Sequence, residues 1–349
     1  MFAERLIAWQ KTHGRHDLPW QGNRDPYRVW LSEIMLQQTQ VATVIPYYER
    51  FLAAYPDLAA LAAAPLEQVL GYWAGLGYYA RARNLHRCAG VLQTQFGGQF
   101  PADAATIATL PGIGRSTAAA ISVFAFGRRA AILDGNVKRV LSRCFGVEGV
   151  PGAAATETQL WALTDQQLPA SDLETYTQGL MDLGATLCTR SKPRCTACPM
   201  LGLCVAQREQ RQDQLPAPKP RKVIPERETT MLLLFDGTRV LLQRRPPSGI
   251  WGGLLCPPEV EHRQRAAEVA ALLAQRHGTR VQVLAPLGSA PLRHTFTHFR
   301  LTIWPMICRV NLAHGVAGEP GWQWLPLVET DKAALPTPVR TLLEAITGS

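Results

Sequence analysis

The sequence predicts two domains of different class, an all-helical first domain and an α+β second one. Three observations carry this: the length, a change in hydrophobic period, and a proline-rich break between the two periods. A chain of 349 residues exceeds the size at which a single core keeps growing. Up to about residue 210, apolar residues recur at helical spacing between Gly and Pro punctuation, as in Pro26 to Val41, Pro65 to Gly71 and Ser116 to Gly127. The stretch QDQLPAPKPRKVIP has four prolines, basic residues and no periodicity, which marks a linker. The predicted organisation is therefore a helical domain over 1–211, a linker over 212–228 and an α+β domain over 229–349.

The bulk composition narrows the partner class. With 47% hydrophobic and 18% charged residues there is ample material for packed cores. The net charge of +9 favours a polyanionic partner. No run approaches the ~18 uninterrupted apolar residues of a membrane span, and MFAERLIAWQKTHG is charged too early for a secretory signal. A cytoplasmic location is expected, nucleoid-associated if the source is bacterial, with no membrane role.

Glu33 lies in YRVWLSEIMLQQTQV, a helical segment whose apolar residues Trp30, Leu31, Ile34, Met35 and Leu36 surround most of its circumference. Burial on several sides disfavours the ion, so this carboxyl should hold its proton to higher pH and act as a general acid. Taken alone, the segment fits an exposed helix glutamate better than a general acid. In LPGIGRSTAAAISVFAFG, Pro111, Gly112 and Gly114 make a tight turn, and an Ala-rich helix resumes at Arg115 with its free N–H groups pointing at an anion site. Asp134 follows the strand-like AAIL and precedes the helix NVKRVLSRCFG, which should end at Gly146. A carboxylate there is an N-cap, favoured as the anion by the helix dipole. One acid that stays protonated beside one that stays charged is the division of labour needed for acid-assisted bond cleavage.

Cys188, Cys195, Cys198 and Cys204 fall within seventeen residues at x6-x2-x5 spacing. Four thiolates suit a tetrahedral zinc or a [4Fe-4S] cluster, and spacing alone modestly favours zinc. Cys88, Cys144, Cys256 and Cys308 are scattered in apolar surroundings and read as packing. Past the linker, MLLLFDGTRVLLQRR reads as a hairpin around Asp236-Gly237, followed by a helix around Glu261 to His277 and strand-like pieces at Val281 to Leu284, Phe296 to Val310 and Trp322 to Leu325.

The segments VWLSEIMLQQTQVATVIPYYERF, GLGYYARARNL, LPGIGRSTA, ILDGNVKRVL and MDLGATLCTRSKPRC together resemble the adenine DNA glycosylases, the MutY family of the endonuclease III/helix-hairpin-helix superfamily, and the resemblance covers nearly the whole chain. It implies a helix-hairpin-helix over about 106–127 that grips a DNA phosphate through Gly112, Gly114 and Ser116. It also implies a Glu33 that protonates adenine N7 and helps with the water, and an Asp134 that stabilises the sugar cation or a transient adduct. Gln37 and Tyr78 would probe and wedge beside the opposite base, with Gln38 in the same motif. Lys138 would touch a phosphate, Trp30 and Gln178 would line the adenine pocket, and Arg81 and Arg83 would add backbone-binding charge. The four clustered cysteines would hold a [4Fe-4S] cluster in the loop 188–204, with Arg190, Lys192 and Arg194 facing DNA.

The stretch RRPPSGIWGGLLCPPE resembles the Nudix fold, but EVEHRQRAAEVAALLAQRHG lacks the R-E-x-x-E-E run that holds magnesium, so hydrolysis by this domain is not expected. The resemblance implies instead that Phe296, Thr297 and His298 recognise 8-oxoguanine, with threonine in place of the family serine, and that Arg244, Arg245 and His294 add phosphate contacts. The implied function is a monofunctional glycosylase in base excision repair, acting as a monomer on double-stranded DNA with A:8-oxoguanine or A:G mispairs. Three other readings compete. A bifunctional endonuclease III-like glycosylase/AP lyase is opposed by Ser116, which stands where the lyases carry a nucleophilic lysine. The others are a non-catalytic DNA-binding module with a structural metal and a Nudix-type hydrolase.

Overall fold

The computed structural model of the protein describes residues 1–220, 223–312 and 319–347. Contacts divide it into two compact units, residues 1–63 with 84–221 and residues 64–83 with 222–349. Among the described residues no helix is long and apolar enough to cross a membrane.

The helical elements before the sheet are α1 (Phe2–His13), α2 (Pro26–Leu36), α3 (Val41–Ala54), α4 (Leu58–Ala63), α5 (Leu66–Trp73), α6 (Ala80–Gln95), α7 (Ala104–Ile107), α8 (Arg115–Phe126), α9 (Gly135–Phe145), α10 (Ala154–Gln167), α11 (Leu173–Asp182) and α12 (Val205–Arg208). Asp25 caps α2 by accepting the Tyr27 N–H, and Pro26 presets the first helical φ. The helix predicted over Pro26 to Val41 is in fact two. It stops at Leu36, Gln37 forms the C-cap, Gln38 turns left-handed at φ +59°, and α3 begins at Val41. The break brings Gln38 to the surface instead of continuing a buried stripe. On α8 the buried Ala118, Ala119 and Ala120 present little bulk, which lets α2 pack closely against it. The α1, α9 and α11 side chains Leu6, Val137, Val140, Leu141 and Leu180 close the main core of this unit.

AAIL, expected as a strand, belongs to no ladder. The Leu133 N–H donates to Ser116 Oγ and the Ile132 carbonyl accepts from Thr164 Oγ1, so side chains from α8 and α10 replace strand pairing. That exchange fixes the chain entering Asp134.

The second unit holds β1 (Glu226–Phe235), β2 (Arg239–Arg244), β3 (Leu255–Cys256), β4 (Glu259–Val260), α13 (Ala266–Arg276), β5 (Thr279–Pro286), β6 (Leu292–Thr295), β7 (Arg300–Leu312), β8 (Trp322–Pro326) and α14 (Thr337–Thr347). The sheet runs β3-β2-β1-β7-β5, with β4, β6 and β8 on β1, β7 and β2. Strand β1 is parallel to β7 and antiparallel to β2, giving a mixed sheet. Asp236 accepts the N–H groups of Thr238 and Arg239, and Gly237 supplies φ +100°, which makes the β1–β2 turn. Ala266, Ala270 and Ala274 form one face of α13 and bury it against Leu232, Leu234 and Cys308. The strand predicted to begin at Phe296 begins at Arg300. Residues 296–299 form the β6–β7 turn, closed by the Phe296 N–H donating to the Phe299 carbonyl.

Candidate active site

A cavity of about 480 Å³, within the ~300–1,000 Å³ range of small-molecule pockets, opens in the helical unit. Gln10 of α1, Arg15, His16 and Trp20 of the following loop, Ser32 and Glu33 of α2, and Gln178 of α11 are among its walls. Burial pushes the Glu33 carboxyl from its ordinary 4.5 up to about 8, and the charge of Asp134 adds to the rise. Glu33 is therefore mainly protonated at neutral pH.

Asp134 caps α9, and its Oδ1 accepts the Val137 N–H at 2.7 Å. Burial raises its proton affinity above the ordinary carboxylate level, while hydrogen bonds from the Val137 and Asn136 N–H groups and the charges of Arg139 and Lys138 oppose that rise. The N-cap and the second acid are thus the same residue. Asp134 is not among the cavity walls, yet its charge is felt at Glu33, so the two carboxyls share one electrostatic environment.

The cavity also shows what sequence reasoning missed. Asp182 is fully buried and accepts from the Arg15 backbone N–H at 2.9 Å, Arg15 Nε at 2.7 Å and Gln178 Nε2 at 2.9 Å. It fixes two of the wall residues at once. The signal was available: a carboxylate inside the apolar run LMDLGATL must be paired if it is buried. Gln178 lines the cavity, whereas Trp30 does not. The Trp30 ring is wholly buried, packed edge-on to Phe100 and Tyr27.

In the hairpin, Gly112 has φ +78°, and a Cβ there would lie 2.5 Å from Asn84 Cβ, so both conformation and space require glycine. Gly114 caps α8 and a Cβ on it would meet nothing within 4 Å, leaving an open approach to the helix N-terminus. Ser116 spends its hydroxyl accepting the Leu133 N–H at 2.9 Å, Gln37 Nε2 donates to Thr117 Oγ1 at 3.3 Å, and Gln38 is exposed. Lys138 is paired with Glu157 at 2.7 Å.

Cys188, Cys195, Cys198 and Cys204 line one small cavity, with the buried Cys144 beside them. Among the described residues no three metal-ligating side chains converge closely enough to hold a single ion. Four thiols around a shared hollow are a donor set that either a tetrahedral zinc or an iron-sulfur cluster takes. The buried Arg143 pins the loop through the Thr189, Arg190 and Leu215 carbonyls and donates to Cys188 Sγ at 3.4 Å, and a π-helical turn, Leu183–Leu187, delivers Cys188.

In the second unit, Tyr78 has φ +50° and is 43% exposed. Arg81 and Arg83, expected to serve a backbone-binding surface, are committed internally. Arg81 is buried and donates to the Leu76 and Gly77 carbonyls, and Arg83 donates to the Gly252 carbonyl. Thr297 and His298 are exposed at the β6–β7 turn, while Phe296 is half-buried, stacked on Phe299 at 4.5 Å and packed against His294 and Trp251. Arg244 and Arg245 are paired with Glu67 and Glu259.

A glycine hairpin feeding a capped helix, two half-buried acids that share one field and a pocket lined by the first of them define a base-excision DNA repair protein, a glycosylase of the helix-hairpin-helix class. The family model described as HhH-GPD superfamily base excision DNA repair protein matches residues 31–166, and the NUDIX domain model matches 230–345. An adenine DNA glycosylase of Buchnera aphidicola subsp. Acyrthosiphon pisum (strain APS) is 34% identical over 345 residues, covering 99% of this chain and 97% of the relative. The adenine DNA glycosylase of Homo sapiens is 34% identical over 421 residues, covering 99% of this chain and 74% of the relative. The structure of a thermostable thymine-DNA glycosylase is 31% identical with a TM-score of 0.54, covering 60% of this chain and 95% of that one. The chain belongs to the adenine DNA glycosylase family.

Proposed function

We propose that the protein hydrolyses the N-glycosidic bond of adenine mispaired with 8-oxoguanine or guanine in double-stranded DNA, as a monomer, and leaves the strand uncut. The observation that carries this reading is Glu33, an acid with a pKa of about 8 on the wall of a cavity of base-binding size. The duplex docks through the Gly112–Gly114 hairpin, where the N-terminus of α8 takes a phosphate, and adenine leaves the stack for the Glu33 cavity. Gln37 and Tyr78 take the probing and wedging roles beside the opposite base that the resemblance implies for them, with Gln38 in the same motif as Gln37. Glu33 gives its proton to adenine N7, and the C1′–N9 electron pair departs with the base. The cationic sugar is then held by the Asp134 carboxylate, and water adds at C1′ as Glu33 recovers a proton from it. The hydroxyl of Ser116 stands where a lyase needs an amine, and it is engaged with Leu133.

Opposite-base recognition falls to Phe296, Thr297 and His298, whose turn presents two exposed polar side chains over an aromatic base. The second unit is not read as a nucleotide hydrolase, because α13 carries Glu268 as its sole carboxylate. The test is single-turnover base release from duplexes pairing A with 8-oxoguanine, G or C, with nicking followed in parallel. Release is expected fastest opposite 8-oxoguanine, slower opposite G and negligible opposite C, with strand breaks only after heat or alkali. Nicking without either treatment would establish the lyase instead.

Cys188, Cys195, Cys198 and Cys204 would hold a [4Fe-4S] cluster, supported by their common cavity and by N–H donors from Arg143 and Gln212 to two of the sulfurs. When bound, such a cluster supplies a rigid tie for the loop 188–204. Cys198→Ala is expected to remove the brown absorbance and the bound iron together and to lower the Tm. Full iron content in that variant would exclude Cys198 as a ligand.

A further inference from the structure

We infer that the Trp251 turn couples the opposite-base hairpin to the Tyr78 loop, with Arg83 and Trp251 as positioning residues. This rests on the reading that residues 296–298 sense the opposite base. The second unit is built from two distant stretches of chain, 64–83 and 222–349, and the turn between β2 and β3 is one place where they meet.

Two guanidinium groups grip consecutive carbonyls of that turn. Arg83 Nη1 donates to the Gly252 carbonyl at 2.9 Å, and Arg244 Nη1, itself paired with Glu67 of α5, donates to the Gly253 carbonyl at 3.1 Å. Gly252 cannot be replaced without movement, since a Cβ there would lie 2.6 Å from the Pro247 carbonyl oxygen. Trp251 is held at φ +54°, a conformation that a bulky side chain rarely adopts, and is only 6% exposed. Packing maintains it there: its ring centroid lies 5.4 Å from Phe296 and 5.9 Å from His294. On the other side, Arg81 shares α6 with Arg83. It donates to the Gly77 carbonyl at 3.2 Å and places its guanidinium 5.3 Å from the Tyr78 ring centroid.

A contiguous physical chain therefore runs from Phe296 through Trp251, the Gly252 carbonyl, Arg83 and Arg81 to Tyr78. A purely apolar contact would let the loop slide. Hydrogen bonds from two forked cations to a strained turn allow few arrangements, so a base that reseats Phe296 shifts where Tyr78 is held.

The test is the ratio of single-turnover release rates opposite 8-oxoguanine and opposite G, measured for the wild type, Arg83→Met, Trp251→Phe, Phe296→Ala and the Arg83→Met/Phe296→Ala pair. Among the described residues the Arg83 side chain donates its hydrogen bond to Gly252 and not to the hairpin, yet Arg83→Met is expected to lower the ratio ~10-fold, as a coupling of ordinary size would. The rate opposite G is expected to stay within about twofold of wild type. The double variant should fall no further than the lower single one, Arg83→Lys should recover part of the ratio, and Trp251→Phe, which keeps a ring in the turn, should lose less. A wild-type ratio in both Arg83→Met and Trp251→Phe, or losses that multiply in the double variant, would overturn the inference. A wild-type protein with no preference between the two duplexes would instead refute the opposite-base reading beneath it, and the inference with it.

Discussion

Glu33→Gln is expected to reduce adenine release by ~10³-fold or more while duplex affinity changes little, because glutamine keeps the shape and loses the proton. The wild-type rate should fall as pH rises through about 8, where Glu33 ionises. A second readout follows from linkage. The folded protein holds the Glu33 proton far more tightly than the unfolded chain, so this group's contribution to stability is full below about pH 4.5 and is lost as pH rises to about 8. The loss is up to ~5 kcal/mol for a shift of this size. Glu33→Gln should remove that loss, so at pH 9 the variant should melt above the wild type although it is inactive. Substantial base release by Glu33→Gln, or identical melting curves for the two proteins from pH 5 to 9, would remove Glu33 from the role of acid.

The sequence carried the raised proton affinity of Glu33 better than the backbone that presents it. Glu33 was legible because five apolar neighbours crowd one turn of helix to either side, and burial alone then dictates the direction of its pKa. Asp134 was legible as an N-cap, and the dipole argument for a lasting anion captured half of its energetics. The raised proton affinity comes from burial, which depends on neighbours that local sequence does not specify. The end of α2 at Leu36 was not legible, because MLQQTQV continues the apolar and polar spacing of a helix and the break rests on Gln38 turning left-handed. The failure of AAIL to pair as a strand has the same origin. Its partners are Ser116 and Thr164, hydroxyls from two separate helices. Arg81 and Arg83 show the limit of reading charge as surface, since each found carbonyl partners inside its own unit. Those partners come from the Tyr78 loop itself and from Gly252, 169 positions beyond Arg83, a distance over which periodicity says nothing.

Asp134→Asn separates the two acids by experiment. Asparagine caps helices as well as aspartate does, so its side-chain oxygen can still accept the Val137 N–H and α9 should form normally. The sugar cation, however, would face a neutral amide, and base release is expected to fall ~10²–10³-fold, the loss typical when one preorganised electrostatic partner is removed. The variant should also move Glu33. Part of the rise in that carboxyl comes from the Asp134 charge, so neutralising it should shift the alkaline limb of the residual pH–rate profile below about 8, toward the value that burial alone sustains. Activity and titration would then change together through residues on different helices. A variant with the reduced rate but an unmoved alkaline limb would place Asp134 too far from Glu33 for their charges to interact. A variant with wild-type activity would leave Asp134 as nothing more than the cap of α9.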